Sequence, residues 1–186
     1  MERNRRFADR RDAGRQLAPL LHHLQGADPV VVGLARGGVP VAGEVARHLG
    51  APLDVLVVRA LGLPGQPELA MGAVAEGGVA VVNDEIVRLG GVSDAELAGA
   101  LAAEERGLTS LVDSLRGGPE DRRRPDAALA VEGRTVVLVD DGAATGASAR
   151  AAVTAVRRAG AAHVAVALPG APAPTLRQLG RHADEE

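Results

Sequence analysis

VVLVDDGAATGAS, Val136 to Ser148, runs four apolar residues straight into two adjacent aspartates, Asp140 and Asp141, and then into a loop with almost no side chains. A short apolar run bounded by turn residues reads as a buried strand. The small-residue loop opens a helix expected to continue to about Ala159. Strand, loop and helix in that order are half of a parallel α/β unit, and the rest of the chain supplies its counterparts.

PVVVGL (Pro29 to Leu34) is a second apolar run. It leads into VPVAGEVARHLG, where Val41, Val45, Ala46 and Leu49 recur at helical spacing and Gly50 is a stop signal. APLDVLVVRAL predicts a strand ending near Arg59, and GLPGQPE after it reads as loop. AMGAVAEGGVAVVND reads as a hairpin around Gly77-Gly78. Ser93 to Leu115 is a long helix, with Ser93 and Glu96 forming a capping box. RGGPEDRRRPD (Arg116 to Asp126) is polar linker, AHVAVALP a further strand and APTLRQLGRH a last helix. Before all of these, Asp12 to Leu24 is an amphipathic helix with Leu17, Leu20, Leu21 and Leu24 on one face. Apolar strands alternating with helices predict a single-domain α/β fold, a mostly parallel sheet flanked by helices. Ligands of such sheets bind beyond the carboxyl ends of the strands. Arg36-Gly37-Gly38, Arg59 and the stretch Asp140 to Ser148 all fall there.

Composition narrows the chemistry. The chain has 186 residues, is 46% hydrophobic and carries a net charge of −3, so one core is expected and no global basic surface for nucleic acid or anionic membrane. No run approaches the ~20 apolar residues of a membrane span, and the charged start lacks the order of a secretory signal, so the expectation is a cytoplasmic protein. There is no cysteine, which removes disulfides and thiolate chemistry. All 21 basic residues counted as Lys or Arg are arginine. Without lysine there is no Schiff base and no Walker-type phosphate loop. With Phe7 the one aromatic ring of the Phe, Tyr and Trp class, nucleobases cannot be stacked in the usual way. His22, His23, His48, His163 and His182 show no metal-like spacing. The Arg-rich start reads as a solvated helix face, and Glu68 and Glu76 as solvated acids.

The opening stretch has its own logic. Unpaired backbone N–H groups at a helix start make an anion site, to which Thr145 and Ser148 add hydroxyls. Two carboxylates beside it suit hydroxyl donors or a Mg²⁺ ion. One ligand carrying a phosphate near a diol satisfies both, and a ribose 5-phosphate is such a ligand. Taken alone, adjacent aspartates after a strand are an ordinary cap and turn, Arg36-Gly37-Gly38 is ordinary turn chemistry, and Arg59 is equally well a surface ion-pair partner.

Together these residues resemble the type I phosphoribosyltransferases. VVLVDDGAATGAS is similar to their phosphoribosyl-pyrophosphate signature, and GLARGGVPVA (Gly33 to Ala42) to their pyrophosphate loop. DVLVVRALGLPGQPELAMGAVAEGG resembles the following strand and mobile catalytic loop; with FADRRDAGRQLA in front, the pattern is most like a bacterial branch of the family. The likeness implies a Rossmann-like core with a small hood over residues 7–169, with 1–6 and 170–186 as terminal extensions. It implies that Asp140 and Asp141 hold the ribose hydroxyls and support Mg²⁺, while Ala143, Ala144, Thr145, Gly146, Ala147 and Ser148 cradle the 5′-phosphate. Arg36, with the backbone of Gly37 and Gly38, would face the pyrophosphate, and a non-proline cis peptide is expected at Ala35-Arg36. Arg59 would assist catalysis. The implied reaction is phosphoribosyl transfer from phosphoribosyl pyrophosphate to a nitrogen acceptor such as a nucleobase, through an oxocarbenium-like transition state; a homodimer is usual in the family.

The sequence also departs from the family. Arg59-Ala60 stands where Arg-Lys is common, the mobile loop has no lysine, and Ala144 replaces a threonine. Loss of one preorganised cation costs ~3 kcal/mol, or about 10²-fold in rate. Turnover is therefore slow, or another arginine serves. Two alternatives stay open: a non-catalytic regulator that binds phosphoribosyl pyrophosphate or a nucleotide, and a sugar-phosphate hydrolase on the same scaffold.

Overall fold

The computed structural model describes residues 7–115 and 131–186. The linker read at Arg116 to Asp126 and the extension 1–6 lie outside the described residues. Six strands form one sheet, β1 (Pro29–Ala35), β2 (Leu53–Leu63), β3 (Gln66–Ala75), β4 (Val79–Val82), β5 (Thr135–Val139) and β6 (His163–Ala167), in the order β4-β3-β2-β1-β5-β6. The four strands β2-β1-β5-β6 are parallel, and β3 and β4 add an antiparallel edge. The expected α/β fold with a mostly parallel sheet is what the chain adopts.

The sheet is covered on both sides because its strands are apolar on both faces. Val30, Val32, Leu34, Val136 and Leu138 face α5 (Ala147–Arg158), whose small residues Ala151, Ala152 and Ala155 lie flush on the sheet. Val31, Val137 and Val139 face α2 (Gly38–Leu49) and the 3₁₀ helix Ala18–Leu24. β1 continues through α2 to β2 on one side, whereas β5 continues through α5 to β6 on the other. The crevice beyond β1 and β5 is therefore a topological switch point, the place where such sheets take ligands. Gly33 helps set its depth, since a Cβ there would lie 2.9 Å from the Cβ of Ala42.

Several elements differ from the sequence expectation. Asp12 to Leu24 is split into α1 (Arg10–Leu17), capped by the Asp9 carboxylate, and the 3₁₀ helix with Pro19 in its first turn. β2 runs past Arg59 to Leu63, and GLPGQPE is mostly strand, because Pro64 and Gly65 (φ 80°) turn the chain in two residues. That is the geometry of a type II turn. The segment read as a mobile loop is thus a paired β2–β3 ribbon. The second hairpin is as expected, with Gly77 (φ 80°) and Gly78 (φ 71°) between β3 and β4. A short helix, α3 (Asp84–Leu89), was not read from the sequence; Asn83 caps it by accepting from the Glu85 and Ile86 N–H groups. The capping box of α4 (Asp94–Leu115) forms, Glu96 N–H donating to Ser93 Oγ and Ser93 N–H to Glu96 Oε2. After α6 (Ala173–Leu179) the chain returns to the β6 edge, with Val166 N–H donating to Glu185 O. Among the described residues no helix is long and apolar enough to cross a membrane.

Candidate functional site

Two loops meet at the switch point. The first leaves β1 through a cis peptide at Ala35-Arg36, as the resemblance led us to expect, and enters α2 at Gly37-Gly38. The second leaves β5 at Asp140. They approach so closely that neither glycine has room for a Cβ as the two loops stand. A Cβ on Gly37 would fall on the Asp141 carboxylate, and one on Gly38 would lie 2.8 Å from the Asp140 Cα. The Asp141 N–H donates to Asp140 Oδ1 at 2.9 Å, so the two acids are held in different roles by one backbone turn. Asp140 is half-buried and Asp141 exposed. Burial pushes the Asp140 carboxyl up to about 7; the Asp141 N–H bond opposes this and the neighbouring Asp141 charge adds to it.

The small-residue loop then builds an anion-receptive turn. Gly146 precedes α5 in the left-handed region (φ 72°) and, as the N-cap residue, has no side chain to cap the helix. The first N–H groups of an uncapped helix have no intrahelical acceptor. Thr145 Oγ1 accepts from the Ala147 N–H at 3.4 Å, and Ser148 lies half-buried in the first turn. The loop is braced from behind by residues 170–175. Ala143 N–H donates to Gly170 O at 3.2 Å, and the buried Thr175 hydroxyl donates to Ala144 O at 2.7 Å. Sequence reasoning missed Thr175, because a lone threonine in a helix start carries no signal of the loop it supports.

The arginines divide sharply. Arg36 is exposed and forms no ion pair among the described residues. Arg59 is committed elsewhere: its Nε donates to Glu104 Oε2 on α4 at 2.6 Å, and its guanidinium lies against Gly107. Arg10, read as part of a solvated face, instead donates through Nε to Asp141 Oδ2 at 2.7 Å. Its place at the first position of α1, where a cation opposes the helix dipole, emerges only from the structure, since the sequence put the helix start at Asp12. Glu76 is likewise not simply solvated, since its carboxylate accepts from the Val57 N–H at 3.2 Å.

Asp140 and Asp141 are also the side chains here that could reach a metal. Among the described residues no group of three or more His, Cys, Asp or Glu side chains is arranged to hold an ion. Mg²⁺ prefers hard oxygen donors, and a Mg²⁺ ion brought to this site would find two of them in Asp140 and Asp141.

Known proteins resemble this chain in sequence and fold. A model of the phosphoribosyl transferase domain matches residues 9–175. A Mycobacterium tuberculosis protein named "Putative phosphoribosyl transferase Rv0571c" is 51% identical over 179 residues, covering 96% of this chain and 39% of its own length. The chain thus spans about two fifths of the curated relatives it matches. The crystal structure of TT1426 from Thermus thermophilus is 45% identical, with a TM-score of 0.73 over 97% of this chain and 83% of that one. The AQ2163 protein from Aquifex aeolicus shares the fold, with a TM-score of 0.55 at 12% identity over 95% of this chain and 71% of that one.

Proposed function

The chain belongs to the phosphoribosyl transferase domain family, and from that premise we propose that it binds phosphoribosyl pyrophosphate with Mg²⁺ and transfers the phosphoribosyl group to a nitrogen acceptor. The observation that carries this reading is the meeting of an acid pair, an uncapped α5 start and the Arg36-Gly37-Gly38 loop at one switch point. In this reading the backbone from Ala143 to Ser148 and the Thr145 and Ser148 hydroxyls hold the 5′-phosphate. Asp140 and Asp141 accept from the ribose 2′ and 3′ hydroxyls. Arg36 and the backbone at Gly37 and Gly38 hold the pyrophosphate. Mg²⁺, supported by Asp140 or Asp141, supplies neutralising charge to the phosphate oxygens. The C1–O bond breaks with its electron pair leaving on pyrophosphate, a C1–N bond forms, and the acceptor's proton passes to solvent. The protein's share is positioning and electrostatic stabilisation.

Arg59 favours a second reading. Its ion pair with Glu104 removes a cation from the leaving group, and the chain has no lysine to replace it. A regulator that binds the same ligand without turnover fits that arrangement. A dye-based melting curve tests binding first, because the chain has no Trp or Tyr. Phosphoribosyl pyrophosphate with Mg²⁺ at about 100 times Kd adds ~2.7 kcal/mol of stability. The shift is expected to vanish in Asp140→Asn/Asp141→Asn. Absence of any shift in the natural protein would refute the reading. Pyrophosphate release with a panel of nitrogen bases then separates transferase from regulator.

A further inference from the structure

Arg10 is placed for more than a surface pair. It is the first residue of α1, and α1 is brought down onto α2 at Gly14, where a Cβ would lie 2.6 Å from the Val41 carbonyl oxygen. That crossing sets Arg10 beside Asp141, 131 positions away in the chain. The carboxylate it holds lies over Gly37, on the ground a Cβ of that residue would occupy. Gly37 belongs to the loop that the proposed function assigns to pyrophosphate. An anion arriving there meets the charge of Asp141 first, and the carboxylate must turn away. Turning away strips Arg10 of its partner and leaves a guanidinium beside a polyanion. The Arg10 side chain is 60% exposed, so little packing holds it back. Guanidinium forks match phosphate oxygens at least as well as a carboxylate.

We infer that Arg10 is a ligand-contacting residue: when a pyrophosphate-bearing ligand binds, its guanidinium passes from Asp141 to the pyrophosphate while Asp141 turns to the ribose hydroxyls. This rests on the phosphoribosyl pyrophosphate reading and supplies, from α1, a cation that Arg59 does not provide. The transfer predicts opposite responses from two ligands. Ribose 5-phosphate needs the acids and not Arg10; inorganic pyrophosphate needs Arg10 and is opposed by Asp141.

Calorimetric titration of the whole chain with inorganic pyrophosphate, ribose 5-phosphate and phosphoribosyl pyrophosphate, each with Mg²⁺, tests it. In Arg10→Ala both pyrophosphate ligands should weaken about tenfold, with ribose 5-phosphate within about twofold, and Arg10→Lys should recover part of the loss. In Asp141→Asn inorganic pyrophosphate should bind tighter while ribose 5-phosphate binds more weakly. Unchanged pyrophosphate affinity in Arg10→Ala, or equal weakening of all three ligands, overturns the inference and leaves the function standing. Failure of the natural protein to bind any of the three overturns both.

Discussion

Asp140 shows how a half-buried carboxylate lowers the stability of the fold. Its folded pKa of about 7 lies above its ordinary 3.8, so between those values the folded chain retains a proton that the unfolded chain has released. Stability therefore falls as pH rises through this window, and the full penalty is present above it. Asp140→Asn keeps an oxygen to accept the Asp141 N–H and removes the buried charge. It is expected to raise the stability of the ligand-free protein at pH 8 by on the order of 2 kcal/mol, about 4 °C in Tm. At pH 3 the gain should be absent. A variant that melts lower than the natural protein at pH 8 would contradict this account of Asp140. Asp140, Asp141 and the glycines were legible in the sequence as a local pattern of adjacent acids and small residues after a strand. Arg10 and Thr175 were not, since each acts on a partner far away in the chain.

Elements were legible wherever pattern and punctuation agreed. Apolar runs gave β1, β5 and β6, and Ser93 with Glu96 fixed the start of α4. The β2–β3 ribbon was obscured because Gly62, Pro64, Gly65 and Pro67 read as loop, although Pro64 and Gly65 complete the turn. Gly62 is itself strand, where a Cβ would lie 2.7 Å from the Pro67 carbonyl oxygen. The α1–α2 crossing was invisible for a related reason: Gly14 inside a helical pattern looks like a weak point, whereas it is the contact. Gly14→Ala improves helix propensity and still is expected to destabilise by about 1–3 kcal/mol, because the methyl meets backbone at Val41. A urea titration decides it; an equal or higher midpoint would mean that α1 slides without cost. The same variant should loosen the Arg10–Asp141 pair.

Across the fold, the sheet order could not be derived from local pattern, because nothing in β1 states which neighbour lies on which side. The return of the tail to β6 was equally hidden, since HADEE reads as an ordinary polar end. It is held by backbone pairing with β6 and, at the surface, by charge. Glu185 joins His23 at 2.8 Å and His163 at 3.0 Å, and Asp184 accepts from the Val164 N–H at 2.7 Å. The hydrogen bond to Glu185 raises the pKa of His23 above 6.5, while its bond from His23, and then that from His163, lowers Glu185 below 4.5. The raised histidine contributes below 6.5 and is lost as pH rises through its folded value; the lowered acid contributes above 4.5 and is lost as pH falls through its own. Tail docking is thus tightest between about pH 4.5 and 6.5. Amide signals of Val166 and Glu185 in nitrogen-labelled protein should report a firmer contact at pH 6 than at pH 9. Identical signals at both would show that backbone pairing alone holds the tail.

The contact between Gly37 and Asp141 carries a further consequence for how this chain can change. The two positions come from separate segments of the sequence yet share one volume, so a side chain added at Gly37 must displace the Asp141 carboxylate. Gly37→Ala alone should turn the Asp141 carboxylate aside and lower the melting temperature modestly, whereas Gly37→Ala with Asp141→Gly should recover that loss without restoring the acid. Substitutions at the two positions are therefore expected to be non-additive, the cost of one depending on which residue stands at the other.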